Sequence, residues 1–212
     1  MSSEKRAYAM KARAARQQET RRRIVEATAA LHREVGPART TVSAIARRAG
    51  VQRLTVYTHF PDEEQLIVAC QEHNFALQPP PNLANAFAFE EPDERLRAVL
   101  TLMYGWYRQI EVAFVPVLRD RGAVPALDQV LQRVLDAPQA QLAADLAAGF
   151  ACVGQRGERL RAVVHLALDF WTWRRLTGEG LDDAAATDVM ASAIAALAAS
   201  NAGHAAHSRE RD

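Results

Sequence analysis

Residues 41–60, TVSAIARRAGVQRLTVYTHF, place one glycine between two short segments that each have the apolar spacing of a helix. The small Ala46 lets two helices cross closely, and Val51 and Val56 supply a shared core on the far side of the turn. Gly50 can take the positive φ that such a tight turn requires. The segment therefore predicts a helix-turn-helix whose first helix is capped by its leading threonine.

Two further helices are expected on either side of this motif. One covers about residues 20–35 and ends at Gly36-Pro37, where a helix cannot continue. The other begins after Asp62, because Gln65 follows three residues later in a capping-box arrangement. It should extend to about residue 77, and its inner face is expected to consist of Leu66, Ile67, Cys70 and Leu77.

Charge is distributed unevenly along the chain. Residues 1–60 contain 13 Lys and Arg against 4 Asp and Glu, a net charge of +9. Residues 61–212 contain 13 against 21, a net charge of −8, which accounts for the total of +1. A basic head on an acidic body predicts that the head binds a polyanion. Residues 1–16 are basic and lack an apolar stripe, which predicts a flexible arm.

The second helix of the motif is expected to present a polar face to solvent, because Val56 and Phe60 turn toward the core. Arg and Gln donors can recognise purine edges in the major groove, and Thr can contact a phosphate or a thymine methyl group. Tyr and His side chains suit phosphate oxygens. The outward residues predicted to bind DNA are Gln52, Arg53, Thr55, Tyr57, Thr58 and His59. The alternative is an amphipathic helix whose polar face is only solvated.

The rest of the chain is also expected to be helical. Ala, Leu, Arg, Glu and Gln dominate and alternating β-branched runs are absent, which predicts an all-α fold. Three consecutive prolines within residues 78–87 indicate a domain boundary. Residues 201–212 are predicted to form a disordered tail. The helical segments expected in between are about 93–110, 112–120, 125–136, 138–149, 158–177 and 183–200.

Segment 158–177 is apolar on two faces, which is typical of a helix that is central in its domain or shared with a partner. Segment 183–200 has an apolar spine among many Ala and Ser residues, which allow close helix packing. Val189, Ile194 and Leu197 form that spine. An ordinary bundle within one chain is the alternative to a shared interface.

Other kinds of site find little support. The chain lacks a GxxxxGK[ST] phosphate loop, a GxSxG motif and an HExxH motif, so no catalytic residue, cofactor or metal is expected. Cys70 and Cys152 belong to no CxxC pattern and are interpreted as buried thiols. His204 and His207 could chelate a metal weakly, but incidental composition explains them better. Without a long apolar run or a signal-like N-terminus, we expect a cytoplasmic protein with no membrane span.

Residues 40–66, TTVSAIARRAGVQRLTVYTHFPDEEQL, resemble the DNA-binding signature of the tetracycline-repressor (TetR) family of bacterial transcriptional regulators. The resemblance is specific over about residues 17–77 and only architectural over residues 78–200. It implies an N-terminal three-helix helix-turn-helix domain followed by a helical-bundle domain for ligand binding and dimerisation. It also implies an Ω-shaped homodimer on a palindromic, double-stranded DNA operator.

The resemblance assigns roles by position. Thr41 would cap the second helix and contact phosphate, and Tyr57 and His59 would hold the DNA backbone. Gln52, Arg53 and Thr55 would face the bases. Relatives often have a lysine near the start of the fourth helix, where this chain has Glu63. That acidic residue suits the helix dipole but removes a phosphate contact, for which the basic arm would compensate.

The resemblance also implies a small-molecule effector in the C-terminal domain, and dimerisation through about 158–177 and 183–200. Aromatic and Met residues at helical spacing could line the effector cavity but more often belong to an ordinary core, and His165 is expected to be a hydrogen-bonded core histidine. The implied function is a repressor that the effector releases from its operator. One alternative is an all-helical enzyme or ligand carrier whose basic head is only a solvated appendage, and another is a sequence-tolerant architectural DNA binder. The candidate cavity residues are Met103, Trp106, Tyr107, Phe114, Phe150, His165 and Phe170.

Overall fold

The computed structural model of the protein describes residues 2–199, and within this range the backbone forms helices and turns without a β-strand. The predicted all-α fold is confirmed. The predicted tail, 201–212, with its two histidines, lies outside the described residues. In chain order the helices are α1 (Ser2–Val35), α2 (Val42–Ala49), α3 (Arg53–His59), α4 (Glu63–Leu77), α5 (Ala84–Phe87), α6 (Pro92–Asp120), α7 (Pro125–Leu131), α8 (Ala137–Ala148), α9 (Gly154–Leu168), α10 (Phe170–Gly178) and α11 (Asp183–Ala199).

The chain divides into two compact units. The first consists of Met1–Pro79 and Ile110–Gln132, and the second of Pro80–Gln109 and Arg133–Asp212. The first boundary falls within the proline-rich stretch that follows α4. Residues 110–120 of α6 and all of α7, which we expected in the C-terminal domain, belong instead to the first unit.

An apolar core joins helices α1 to α4 of the first unit. α1 packs against α2 and α4, α3 packs on α2, and α4 packs on α7. Ile24 and Ala27 are buried as the helical spacing predicts, and the hydroxyl of buried Thr28 donates a 2.8 Å hydrogen bond to the carbonyl of Ile24. Burying an isoleucine side chain contributes about 1.5–3 kcal/mol. The core residues are Ile24, Val25, Ala27, Ile45, Ala46, Ala49, Val56, Phe60, Leu66, Ala69 and Cys70.

The two cysteines differ in burial. Cys70 lies in the core of the first unit, as expected, and burial raises the pKa of its thiol to about 12. Cys152 is half-buried and its Sγ lies 3.5 Å from the carbonyl oxygen of Phe150. The expected inner face of α4 is correct at Leu66 and Ile67 but wrong at Leu77, which is exposed because it ends the helix.

Two helices in the first 120 residues, α1 and α6, have boundaries that differ from the predicted ones. α1 begins at Ser2 rather than at about Thr20, because residues 2–19 contain neither Gly nor Pro and are rich in strong helix formers. The segments predicted at 93–110 and 112–120 are one helix, α6, which contains Pro116 in its last turns. The expected break was wrong because no residue between 108 and 115 interrupts the backbone ladder.

Two further boundaries differ in the second half of the chain. The predicted helix 158–177 is divided at Asp169, whose backbone is extended with ψ 135°. The Asp169 carboxylate accepts from the backbone N–H of Trp171 at 3.2 Å and so caps α10. The predicted helix 125–136 ends at Leu131, and a π-helical stretch, Gln132–Asp136, leads into α8.

The second unit is built around α9, which packs against α8, α10 and α11. The hydroxyl of Tyr104 donates to the carbonyl of Ala167 at 2.8 Å, and that of Tyr107 donates to the carbonyl of Leu168 at 2.5 Å. These bonds satisfy carbonyl groups that the end of α9 leaves without helical partners. Buried side chains from its helices form the core: Leu96, Val99, Leu100, Tyr104, Leu146, Leu160, Val164, Trp173 and Ile194.

Candidate nucleic-acid interface

The turn between α2 and α3 has the geometry that its residues predict. The side chain of Thr41 accepts a 3.2 Å hydrogen bond from the backbone N–H of Ala44 and caps α2. Gly50 ends α2 in the left-handed region, at φ 65° and ψ 39°. The next backbone N–H, of Val51, donates to the carbonyl of Ala46 at 3.0 Å and closes the turn. The predicted helix-turn-helix is present.

The inner side of α3 is anchored in the core. Val56 is 1% exposed and Phe60 is buried beside it, as predicted. The guanidinium of Arg21, on α1, stacks 4.3 Å from the centre of the Phe60 ring. These contacts fix the orientation of the helix, because two buried side chains one turn apart define which face points outward.

The outer side of α3 begins with an amide and a guanidinium. Gln52 caps the helix with its backbone, and its side chain makes no capping bond, so the amide remains available to a ligand. Arg53, the first residue of the helix, is exposed, and within residues 2–199 it forms no ion pair. Both side chains therefore start α3 with unused hydrogen-bond donors.

The remaining predicted contacts differ in exposure. Tyr57 is 46% exposed, and Thr58 is exposed with its hydroxyl donating to the carbonyl of Leu54 at 2.8 Å. The hydroxyl oxygen of Thr58 can still accept a hydrogen bond. Thr55 and His59 are half-buried rather than fully outward.

One further residue on this surface was not predicted from the sequence. Leu54 is 73% exposed although it is a large apolar side chain, and it lies between Arg53 and Thr55 on the outer face. Its spacing was the available signal, because a residue two before Val56 cannot share the inward face of a helix. An exposed aliphatic group there can contact a thymine methyl.

Part of the positive charge of the head is neutralised by neighbouring carboxylates. Arg48 forms two hydrogen bonds, of 2.6 and 2.7 Å, with Glu34, and this guanidinium lowers the pKa of the glutamate. Arg22 likewise pairs with Glu19 and Glu26 on α1. These solvent-exposed pairs reduce the charge that the head offers to a phosphate backbone.

The fourth helix begins as predicted. The Asp62 carboxylate accepts from the backbone N–H of Gln65 at 2.8 Å and from the Gln65 side-chain amide at 2.6 Å. Glu63 is the exposed first residue of α4. The acidic start of this helix is therefore engaged in stabilising its own N-terminus.

The residues considered for an effector cavity are divided between the two units. Trp106, Tyr107 and Phe170 cluster in the second unit, with ring centres 5.7 Å apart for the first pair and 5.5 Å for the second. Trp173 joins them 5.4 Å from Phe170. Phe114, by contrast, is buried in the first unit.

The other candidates for that cavity are less buried. Met103 and Phe150 are half-buried in the second unit. His165 is exposed, so the expectation of a core histidine was wrong. The reason is its position on α9, since Val164 and Ala167 occupy the buried face and leave residue 165 on the opposite side.

Residues 2–199 contain neither a candidate metal site nor a candidate membrane-spanning helix. Among residues 2–199 no group of three or more His, Cys, Asp or Glu side chains could hold a metal ion. No helix in the same range has the length and apolar character needed to cross a membrane.

Comparisons with known proteins agree with this geometry. Residues 24–70 match the family model described as bacterial regulatory proteins, tetR family. A TetR-like transcriptional regulator from Rhodococcus sp. RHA1 has a similar fold, with a TM-score of 0.58 at 20% identity, over 84% of this chain and 93% of that one. A search of curated protein sequences found no match.

Two further solved structures share the fold. A putative transcriptional regulator from Saccharomonospora viridis, in complex with choline, has a TM-score of 0.52 at 18% identity, over 87% of this chain and 97% of that one. Another transcriptional regulator from Rhodococcus sp. RHA1 has a TM-score of 0.51 at 20% identity, over 82% and 95%. The family match covers residues 24–70, which include the helix-turn-helix, and the solved structures share the all-helical fold of the chain.

Proposed function

We propose that the protein is a repressor that binds a palindromic operator as a homodimer and is released from it by a small-molecule effector. The observation that carries the proposal is the outer face of α3, where Gln52 and Arg53 have unused donors while Val56 fixes the helix from within. We assign double-stranded DNA to this face as its partner. The place of action would be the cytoplasm. The alternative of a helical enzyme or carrier gives no role to this exposed set of donors.

The residues of the interface divide into two roles. We assign base contacts to Gln52, Arg53 and Thr55, because amide and guanidinium donors pair with purine edges. Leu54 joins them through apolar contact. The proposed phosphate contacts, which set position without reading sequence, are Thr41, Tyr57, Thr58 and His59.

The N-terminal part of α1 adds charge to this interface. Residues 2–16 contain five Lys and Arg residues and one acidic residue. We propose that this basic extension contacts the phosphate backbone and compensates for Glu63 at the start of α4. Its contribution would be electrostatic and therefore salt-dependent.

The proposed dimer interface lies on the second unit. Leu166 of α9, Trp171 of α10 and Val189 of α11 are exposed in the single chain, at 55%, 41% and 45%. Large apolar side chains left exposed on neighbouring helices are typical of a surface that another protein covers. A two-fold dimer would present two α3 helices one turn of DNA apart, about 34–36 Å.

The proposed effector site is the aromatic cluster of the second unit. The rings of Trp106 and Phe170 both pack against the ring of Tyr107, and Met103 and Phe150 are half-buried in the same unit. A similar structure holds choline, a quaternary ammonium ion that aromatic rings bind well. Choline and related cations are therefore the first compounds to screen.

The coupling between effector and DNA would run along α6. This helix begins in the second unit and ends in the first, where its last residue, Asp120, accepts a hydrogen bond from the backbone of Ala38 just before α2. α4, which packs against α1 and α7, would swing with it. An effector shifts such an equilibrium only by binding one conformer better, typically by about 1–3 kcal/mol.

An engineered crosslink tests this mechanism. A thermal-shift screen, beginning with choline, supplies the effector, and the two DNA-binding heads of the dimer are then crosslinked while bound to operator DNA. We expect the crosslinked dimer to stay on the operator when the effector is added. If it dissociates as readily as the uncrosslinked dimer, separation of the heads is not the switch.

A further inference from the structure

A cavity of about 240 Å³ lies within the first unit, beside the C-terminal end of α3. Helices α1, α2, α3 and α4 all contribute to its wall. Most of that wall is apolar, since it is formed by Ile45, Val56, Phe60, Leu66, Ile67 and Val124. The cavity thus belongs to the first unit, to which we assign DNA binding, whereas the aromatic cluster belongs to the second unit.

A few polar groups also line this cavity, and they select for a neutral ligand. Burial lowers the pKa of His32 to about 4, so its ring is uncharged at neutral pH and one nitrogen can accept a hydrogen bond. Among the described residues no side chain forms a hydrogen bond with the ring of His32. Asp62 and Glu63 lie at the same cavity and oppose an anion. The hydroxyl of Thr40 donates to the carbonyl of Gly36, which leaves its oxygen free to accept.

The volume limits the size of an occupant. Apolar cavities of about 150 Å³ bind benzene, whereas drug-sized ligands fill about 300–1,000 Å³. A space between these values accommodates one aromatic ring with small substituents. We propose that the cavity is a ligand site for a neutral, phenol-like molecule, whose ring packs on the aliphatic wall and whose hydroxyl donates to His32.

This site would give the DNA-binding head its own response to a small molecule. An occupant would contact Val56 and Phe60, which orient α3, and the ring of Tyr57, which we assign to a phosphate contact. The consequence for DNA affinity rests on the proposed function, but binding to the cavity does not. The binding test therefore uses the full chain without DNA.

The probe is para-cresol, followed by methyl NMR of the full-length protein. We expect saturable binding, with nuclear Overhauser contacts between the probe's ring protons and the methyl groups of Ile45, Ile67 and Val124. Benzoate, of similar size but anionic, should give none of these contacts, because its carboxylate would lose hydration beside two acidic side chains. The absence of contacts from para-cresol at saturation, or equal contacts from benzoate, would overturn the proposal.

A pair of variants localises the binding independently. Val42→Phe places a larger side chain at the cavity wall, from a half-buried position, and Val112→Phe makes the same change on an exposed face of α6. We expect Val42→Phe to weaken para-cresol binding by about tenfold or more and Val112→Phe to leave it unchanged. Equal affinities in two folded variants would place the probe elsewhere. If Val42→Phe does not fold, the NMR contacts in the natural chain decide.

Discussion

The carboxylate of Asp120 accepts a 3.0 Å hydrogen bond from the backbone N–H of Ala38, 82 residues away in sequence. The neighbouring Arg119 donates to the same carboxylate at 2.7 Å and lowers its pKa. The side chain is almost completely buried, so these bonds satisfy a charge that burial would otherwise oppose. The contact fastens the end of α6 to the turn that precedes α2.

Gly36 makes room for this contact, and its replacement tests how much the contact contributes. Its φ of 89° disfavours any side chain, and an added Cβ would collide with the carboxylate of Asp120. We expect Gly36→Ala to lower the free energy of unfolding by about 2–4 kcal/mol, through backbone strain and displacement of the carboxylate. Urea unfolding measures the change.

Gly122→Ala is the matched control. A Cβ at that position meets no atom within 4 Å, and its φ is not positive. We expect its stability to remain within about 0.5 kcal/mol of the natural chain. Equal stability of the two alanine variants would show that the contact between Asp120 and Ala38 is not held tightly.

His32 predicts a pH dependence of stability. Its pKa is about 4 in the folded chain because of burial, against an ordinary value of 6.5, and Asp120 opposes that shift only in part. Between these two values the unfolded chain binds more protons, so stability is fully present above about pH 6.5 and is lost as the pH falls toward 4. A difference of one in pKa between the folded and the unfolded chain changes the free energy of unfolding by about 1.4 kcal/mol.

Urea unfolding at pH 7 and pH 5 measures this loss. In the variant His32→Gln, which cannot gain a proton, we expect a smaller loss of stability over the same interval. The carboxylates of Asp120 and Asp183, whose pKa values are lowered by arginine partners, lose their contribution only at lower pH. An identical pH dependence in the variant and the natural chain would contradict the assignment to His32.

Arg53 should contribute to sequence recognition. Because its exposed guanidinium begins α3, we expect Arg53→Ala to weaken binding to the preferred DNA by about 1–3 kcal/mol and to relax selectivity at one base position. Titrations with the preferred and an unrelated duplex separate the two effects. An equal loss on both duplexes would mean that Arg53 contacts only phosphate.

The N-terminal extension should set the salt dependence of binding. Removing residues 2–16 deletes Lys5, Arg6, Lys11, Arg13 and Arg16. We expect the slope of log K against log salt to become shallower, since each phosphate contact contributes about 0.9 to that slope on duplex DNA. The affinity is measured at several salt concentrations. An unchanged slope would show that the extension does not meet the duplex.

The features that local chemistry determines could be predicted from the sequence. Thr41 and Asp62 cap helices through their own side chains, and Gly50 takes the positive φ that ends α2. Each depends on atoms within four residues, so the pattern of residue types was sufficient. The inward positions of Val56 and Phe60 follow from helical period in the same way.

Features that depend on distant residues could not be predicted. The break at Asp169 leaves carbonyl groups of α9 that Tyr104 and Tyr107 satisfy from another helix. The assignment of residues 110–132 to the first unit depends on contacts such as that between Asp120 and Ala38. The cavity beside α3 arises from the packing of four helices, which no single segment reveals.

If the exposed face of α3 recognises a DNA sequence, selection of bound DNA from a random duplex library should reveal it. We predict enrichment of a palindrome whose half-sites are centred about one helical turn apart, at about 10–10.5 base pairs, or at a multiple of that spacing. A parallel selection with a variant carrying Gln52→Ala and Arg53→Ala should lose part of that consensus. Recovery of no consensus by the natural chain, or of the same consensus by the variant, would show that Gln52 and Arg53 on α3 do not recognise a DNA sequence.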